Sequence, residues 1–587
     1  MRVARCDSLS GVVVVAAAAV VACAALVAGA PAGAGAGGED LPPSCDSKIY
    51  CQGELLSVIQ NAHLYPDSKK FVDKRLIYSP DETLEQFDAL MKQTGGNPSK
   101  EQIQKFVDDY FEDGNELEGA ELPDWVAEPA LLRRIADPKL RGWASELNGI
   151  WKNLSRRVSD EVRDHKDRYS LIYVPHHFIV PGGRFRELYY WDTYWIVRGL
   201  LLSDMKDTVK GIIENFLYLL DTHGIIPNGA RIYYLERSQP PLLTPMVYNY
   251  FLATKDEEFV KKNIHLLERE LDFWMKNRTV NVQKDGKTYT LLRYYSPSQG
   301  PRPESYREDY MNSQVFSSDQ RKEEFYIDLK SAAESGWDFS SRWFIKDGSN
   351  KGNLTDIHTK YIIPVDVNAF VYGNARLLSA LHTEVVGNLD KAKKYSQIAH
   401  ELKEAVTAVL WNGTTGSWFD YDLLNAKQRT YFYPSNLAPL WTKCYNEKET
   451  PIIAQKVVKY LQSIEILQHY LGGIPTSLNN TGEQWDLPNA WPPLQNIIIQ
   501  GLQSTQEPSA QKLAYEFAEQ WIRSNYKGFV EHNDMYEKYD AEVPGNSGGG
   551  GEYIPQSGFG WTNGVVLELL DTYGTRLTAD NTMRREV

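Results

Sequence analysis

The sequence predicts an all-α protein, an (α/α)6 toroid in which two concentric rings of helices are enclosed on one side by an N-terminal helical wrap. Two observations carry this expectation. From about residue 190 onward, helical segments of two kinds alternate, one apolar on most sides and one with a single apolar stripe. Polar, aromatic and Gly/Pro-rich loops stand just before the apolar kind, ahead of Thr193, Leu242, Val365, Leu494 and Thr562. A helix buried all round, then a helix with one buried face, with the pair repeated, describes an inner ring inside an outer one. If the inner helices run the same way, their preceding loops gather at one mouth, where a site draws on distant parts of the chain.

Taken in order, the chain opens with a secretion signal. Arg2 and Arg5 precede an apolar stretch from about Gly11 to Val27, and small residues follow, which is the pattern of a cleaved leader ending near residue 34 and before Glu39. An uncleaved signal anchor is the alternative. Residues 35–587 then form one domain. Within it, 39–180 are helical in pattern but richer in charge and read as the wrap; a separate N-terminal unit with Glu112 to Pro123 as linker is the other reading. In the striped class, Val260, Ile264, Leu267, Leu271 and Trp274 recur at intervals of four and three, as do Tyr395, Ile398, Leu402, Val406 and Val409. Leu513, Phe517 and Trp521 repeat the pattern after Pro508. The apolar class comprises Tyr194 to Leu202, Val365 to Leu381, Pro493 to Leu502 and Trp561 to Leu570.

Composition narrows the function. A net charge of −14 argues against a nucleic-acid partner, which needs a concentrated basic surface. The 15 Trp and 35 Tyr supply flat faces that stack on sugar rings or fill a helical core. After the signal, Cys45, Cys51 and Cys444 remain: Cys45 and Cys51 are placed for a local disulfide, leaving Cys444 free or paired between chains. Sequons at Asn153, Asn277, Asn353, Asn412 and Asn479 fit passage through a secretory route. The C-terminal residues carry neither a membrane span nor a lipid-anchor pattern, so no membrane anchor is expected.

The segment PGGRFRELYYWDTYW, Pro181 to Trp195, crowds a Gly-Gly turn, two arginines, two carboxylates and several aromatics into one short stretch. Planar charged groups hydrogen-bond sugar hydroxyls and aromatic faces cover their C–H surfaces; a helix entry with a buried ion pair is the plainer account. A second segment, QWDLPNAWPP from Gln484, repeats the Trp-Asp pairing, although Asp486 is equally suited to cap the next helix. Together the two segments resemble the signature motifs of the trehalase family of glycoside hydrolases. The likeness runs from about Asp46 to about Tyr573, is strongest to the secreted trehalases of animals and insects, and includes GGGGEYIPQSGFGWTNG from Gly548.

The resemblance implies the (α/α)6 barrel, hydrolysis of α,α-trehalose to two glucose molecules, and roles for particular residues. Arg184 matches a sugar-binding arginine, Trp191-Asp192 a substrate-contacting pair, Asn228 and Arg237-Ser238-Gln239 further contacts, and Arg302-Pro303-Glu304 another. Three arginines suit adjacent hydroxyls through paired hydrogen bonds; an anionic sugar is the alternative that residue chemistry alone leaves open. In ESGWDFSSRWF, Gly336 matches a backbone contact and Asp338 the general acid, where a helix cap is the ordinary role for such an aspartate. In MYEKYDAE, Glu537 matches the general base, although Glu537-Lys538 by itself reads as a solvated pair. Glu552 is a further site carboxylate, and the glycines before it read either as a linker or, with Tyr553, Phe559 and Trp561 following, as a lid near the mouth. No His/Cys spacing suggests a metal site and no phosphate loop or dinucleotide fingerprint is present, so neither metal nor cofactor is expected. Another glycosidase on the same toroid, and a carbohydrate-binding protein without activity, are the competing functions.

Overall fold

Twelve helices of the computed structural model, which describes residues 41–579, build the double ring. They are labelled here in chain order: α1 Pro138–Leu154, α2 Asp192–Leu202, α3 Lys206–His223, α4 Leu243–Thr254, α5 Glu257–Asn277, α6 Val365–Leu381, α7 Leu389–Ala405, α8 Ala438–Thr442, α9 Thr450–Ser463, α10 Pro492–Ser504, α11 Pro508–His532 and α12 Gly560–Tyr573. The expected signal segment lies outside the described residues. Even-numbered helices form the inner ring, each packing on the next, with α12 closing back onto α2. Odd-numbered helices lie outside: α7 backs α6, α11 backs α10 and α12, and α1 backs α12.

Patterning accounts for which helix is inner and which is outer. Every residue of α12 from Gly560 to Leu570 is buried, as are Val365 to Tyr372 of α6. In α5 the buried set is instead a stripe containing Val260, Ile264, Leu267, Leu271 and Trp274, the residues expected from spacing. Of the stripe expected through α7, Tyr395 and Leu402 are buried, Ile398 is half-buried, and Val406 and Val409 fall in a π-helical turn after Ala405. α1 lies within the span read as the wrap but serves as the sixth outer helix, presenting Trp143, Leu147 and Trp151 inward.

The ring closes tightly where α2 meets α12. A methyl group on Gly564 would stand 2.0 Å from the Trp195 carbonyl oxygen, so only glycine lets the backbones approach this closely. A buried polar chain runs across the same seam: Trp195 donates to Asn496 (3.1 Å), Asn496 to Glu568 (3.0 Å), and Arg198 pairs with Glu568 (2.6 Å). These links satisfy polar groups that the apolar interior would otherwise leave stranded.

Capping differs between the rings. Asp137, Asp256, Asn388 and Glu507 cap α1, α5, α7 and α11 with their own side chains. No inner helix has such a cap. Their first-turn amides are met from elsewhere, Leu243 by the Tyr190 hydroxyl (2.9 Å) and Val365 by Asp420 (2.8 Å). Inner-helix starts are therefore tied to the loops of other repeats, and those loops carry the cavity described next.

Outside the ring, residues 49–111 fold as four short helices, Glu54–Asn61, Lys69–Val72, Pro80–Gln93 and Lys100–Tyr110, around a small core of their own that also takes in Tyr189, Tyr233 and Tyr234. Residues 42–579 are one compact unit. The Cys45–Cys51 disulfide forms near its start. Cys444 is fully buried, and of its two expected states pairing between chains is excluded because no surface reaches the sulfur.

Candidate active site

A cavity lies at the mouth of the inner ring. Its lining comes from the loops before α2, α4, α6, α10 and α12, the five loops singled out in the sequence, with Asp67 and Lys69 added from the N-terminal segment. Arg184, Trp191, Asp192, Asn228, Arg237, Gln239, Arg302, Glu304, Gly336, Asp338, Glu537 and Glu552 all line it. Ser238 and Pro303 do not line it. The Ser238 hydroxyl donates to the Ile226 carbonyl (2.7 Å) and the Pro303 carbonyl accepts from Gln60 (3.0 Å), so both brace the loops whose neighbours face the cavity.

Each arginine is held by a carboxylate. Arg184 makes a two-pronged pair with Asp67 (2.8 Å and 2.8 Å) and lies over the Tyr553 ring. Arg237 pairs with Glu304 and donates to Asn228 (3.0 Å). Arg302 forks onto Asp309 (2.9 and 2.6 Å) and spends a further N–H on Glu552 (2.9 Å). These pairs hold the planar donors in fixed orientations. Burial pushes the Glu304 carboxyl up, but Arg237 and Arg302 outweigh it and hold the group below its usual range.

Asp338 differs from these carboxylates. It is preceded by Gly336, whose φ of +76° and 2.6 Å clearance from the Trp191 ring to any added methyl require glycine. The expected cap role is taken instead by Ser340, which accepts from the Arg342 amide. Among the described residues no other residue hydrogen-bonds the Asp338 carboxyl, and burial, offset in part by Arg302, raises its pKa to about 6. Asp192 is pushed far above the carboxylate range by burial and by the nearby charges of Glu537 and Asp338.

Glu537 and Lys538 are fully buried, not a solvated pair. Glu537 accepts from the Tyr553 hydroxyl (2.8 Å) and the Gln556 amide (3.4 Å), and its backbone carbonyl accepts from Trp561 (2.9 Å). The Lys538 ammonium lies 3.7 Å from the Glu537 carboxylate and donates to Gln484 (2.9 Å), which in turn donates to the Asp338 carbonyl (2.6 Å). A chain of hydrogen bonds thus ties the two acid-bearing segments together. Asp486 caps no helix: it is buried and accepts from Ser340, Ser341 and Thr481. The glycine-rich segment is no loose linker either, since the Gly551 amide donates to the Gly482 carbonyl (3.1 Å) and Glu552 reaches Arg302.

The family model for trehalase matches residues 63–574 of this chain. The chain belongs to the trehalase family. It is 54% identical to a trehalase of Apis mellifera over 92% of this chain and 86% of that protein. To a trehalase of Homo sapiens it is 49% identical, covering 92% of each. The neutral trehalase of Saccharomyces cerevisiae shares the fold, with a TM-score of 0.56 at 23% identity over 71% of this chain and 80% of that one. No described helix of this trehalase-family chain is long and apolar enough to cross a membrane.

Several lining residues escaped the sequence. Asp67 and Lys69 come from a segment with no motif. Trp485 stacks on Trp491 (3.8 Å, 1° between planes), and Trp191 and Trp561 complete an aromatic floor. The Trp-Asp repeat in QWDLPNAWPP was the available signal for the floor; for Asp67 there was none.

Proposed function

We propose that the protein hydrolyses α,α-trehalose to two glucose molecules by a single displacement with inversion, Asp338 serving as general acid and Glu537 as general base. The supporting observation is the contrast between the two carboxyls. Burial raises the Asp338 pKa to about 6, so it keeps its proton in mildly acidic solution and has no hydrogen-bond partner from another described residue, whereas Glu537 accepts hydrogen bonds from Tyr553 and Gln556. Asp338 gives its proton to the bridging oxygen as the bond breaks. Glu537 takes a proton from the water that attacks the anomeric carbon from the opposite face.

Charge accounting in the cavity supports a neutral sugar over an anionic one. Seven carboxyl groups (Asp67, Asp192, Glu304, Glu308, Asp338, Glu537, Glu552) line it with three arginines and Lys69, and each of these cations is already paired. Such a site offers an anion no free counter-charge and presents geometry in place of net charge. The remaining substrate contacts in this reading are Trp191, Asp192, Asn228, Gln239 and Gly336, with Glu552 holding Arg302. No cofactor takes part. The chain is further read as secreted, with residues 1–34 removed as a signal, and as N-glycosylated.

The products report the mechanism. Both anomeric centres of trehalose are α; inversion at one releases equal amounts of α- and β-glucose, visible by proton NMR before mutarotation. Release of α-glucose alone would assign a covalent intermediate and remove Glu537 from the role of base acting through water. Maltose split as fast as trehalose would point to the broader glycosidase reading.

A further inference from the structure

The helix Asp319–Glu334 runs directly into Gly336 and Asp338, and its last ten residues are all buried although several are charged. Glu323, Lys330 and Glu334 stand seven and four residues apart, which puts them on one helical face. That face holds two loops. The Lys330 ammonium donates to the carbonyls of Ser298 and of Gly300 (2.8 Å for the latter). Glu323 accepts from the Gly300 amide (3.0 Å). Two residues further on, Arg302 enters the cavity. Glu334 accepts from the Ser238 amide (3.1 Å) and the Tyr295 amide (3.0 Å), and the buried Arg278 supplies its counter-charge (2.7 Å). Ser238 sits between Arg237 and Gln239, whose side chains both face the cavity.

We propose that Lys330 and Glu334 are positioning residues that hold the Arg302 loop and the Arg237–Gln239 loop in register with Asp338, and so set the affinity for substrate. Neither lines the cavity. Each instead hydrogen-bonds loop backbone, while the same helix delivers the acid. The inference rests on the proposed function for its substrate. Because Arg237 and Arg302 hold the sugar before and during the bond-breaking step alike, loosening them weakens both states together, which appears in KM and leaves kcat nearly unchanged.

The test compares three variants with wild type on trehalose. Lys330→Met removes the ammonium and keeps the stem; Glu334→Asp keeps the charge for Arg278 but withdraws its oxygens from the two amides. Both are expected to raise KM about tenfold with kcat within about threefold of wild type. Asp328→Asn is the control: Asp328 is buried on another face of the same helix, accepting from the Lys360 amide (2.9 Å), and its loss should lower the melting temperature with KM unchanged. An unchanged KM in the first two variants, or an equal rise in the control, overturns the proposal. Crystal structures of the variants read the same question without substrate: Arg302 or the Ser238 segment displaced is the expected result, and both in place is the contrary one. Wild-type protein that released no glucose from trehalose would sink the functional reading separately, leaving these displacements to decide the positioning.

Discussion

The burial that keeps Asp338 protonated also weakens the fold once the proton leaves. Its pKa of about 6 lies above the ordinary 3.8, so the folded state holds the proton more tightly than the unfolded one. Below about pH 4 both states are protonated and nothing is lost; between about 4 and 6 stability falls; above 6 the full cost, about 3 kcal/mol, is present. Asp338→Asn should therefore abolish turnover, by at least about a hundredfold in kcat, and yet melt about 3 °C higher than wild type at pH 7, with no gain at pH 4. A lower melting temperature at pH 7 would show that the carboxylate is stabilised by something other than the groups around it. In the wild type the same proton sets the alkaline limb: kcat should decline as pH rises past about 6. Glu537→Gln should match Asp338→Asn in kcat, since either removes one of two proton transfers, and Tyr553→Phe should lower kcat by a smaller factor because it frees the base without removing it. Steady-state kinetics on the three purified variants would separate these roles, and activity kept by Glu537→Gln but lost by Glu552→Gln would move the base to Glu552.

Among the elements, the turn that ends Asp319–Glu334 tolerates little change. Gly336→Ala would place a methyl 2.6 Å from the Trp191 ring at a φ that side chains avoid, so either the ring or the turn that carries Asp338 must move. The expected outcome is a loss of about 1–3 kcal/mol in stability together with a fall in kcat/KM, read by thermal melting and initial rates. Normal activity in Gly336→Ala would mean that the approach of this turn to Trp191 does not set the acid. Cys444 follows α8, where burial pushes its thiol well up. Thiol reagents should leave Cys444 of the native protein unlabelled and modify it only after unfolding.

At the scale of the whole molecule, the sequons differ in what surrounds them. Asn153, Asn277 and Asn353 are exposed, whereas the Asn479 amide donates to Ser341 (3.3 Å) and that of Asn412 to Gln428 (3.0 Å). Expression through a secretory route should give glycans at Asn153 and Asn353 and none at Asn479, as mapped by peptide mass spectrometry after deglycosylation. Glycan on Asn479 would require the loop near Asp486 to open. The double ring itself was legible in the sequence because burial leaves a local record: a helix wet on one side alternates its residues, and one wet on neither does not, as α5 and α12 show. The two motif segments and the five loops were legible for the same reason, being continuous in the chain. Tertiary structure alone decided which charges meet. Arg184 and Asp67 are 117 residues apart and Arg302 and Glu552 are 250 apart, and no periodicity connects such partners. It also decided that Glu537-Lys538 is buried, that Ser238 and Pro303 brace the loops without lining the cavity, and that the Asp338 carboxyl is buried without a hydrogen-bond partner from another described residue. The physical reason is that a side chain's protonation and partners depend on the dielectric and the charges within a few ångströms, which the ring assembles from loops far apart in the chain.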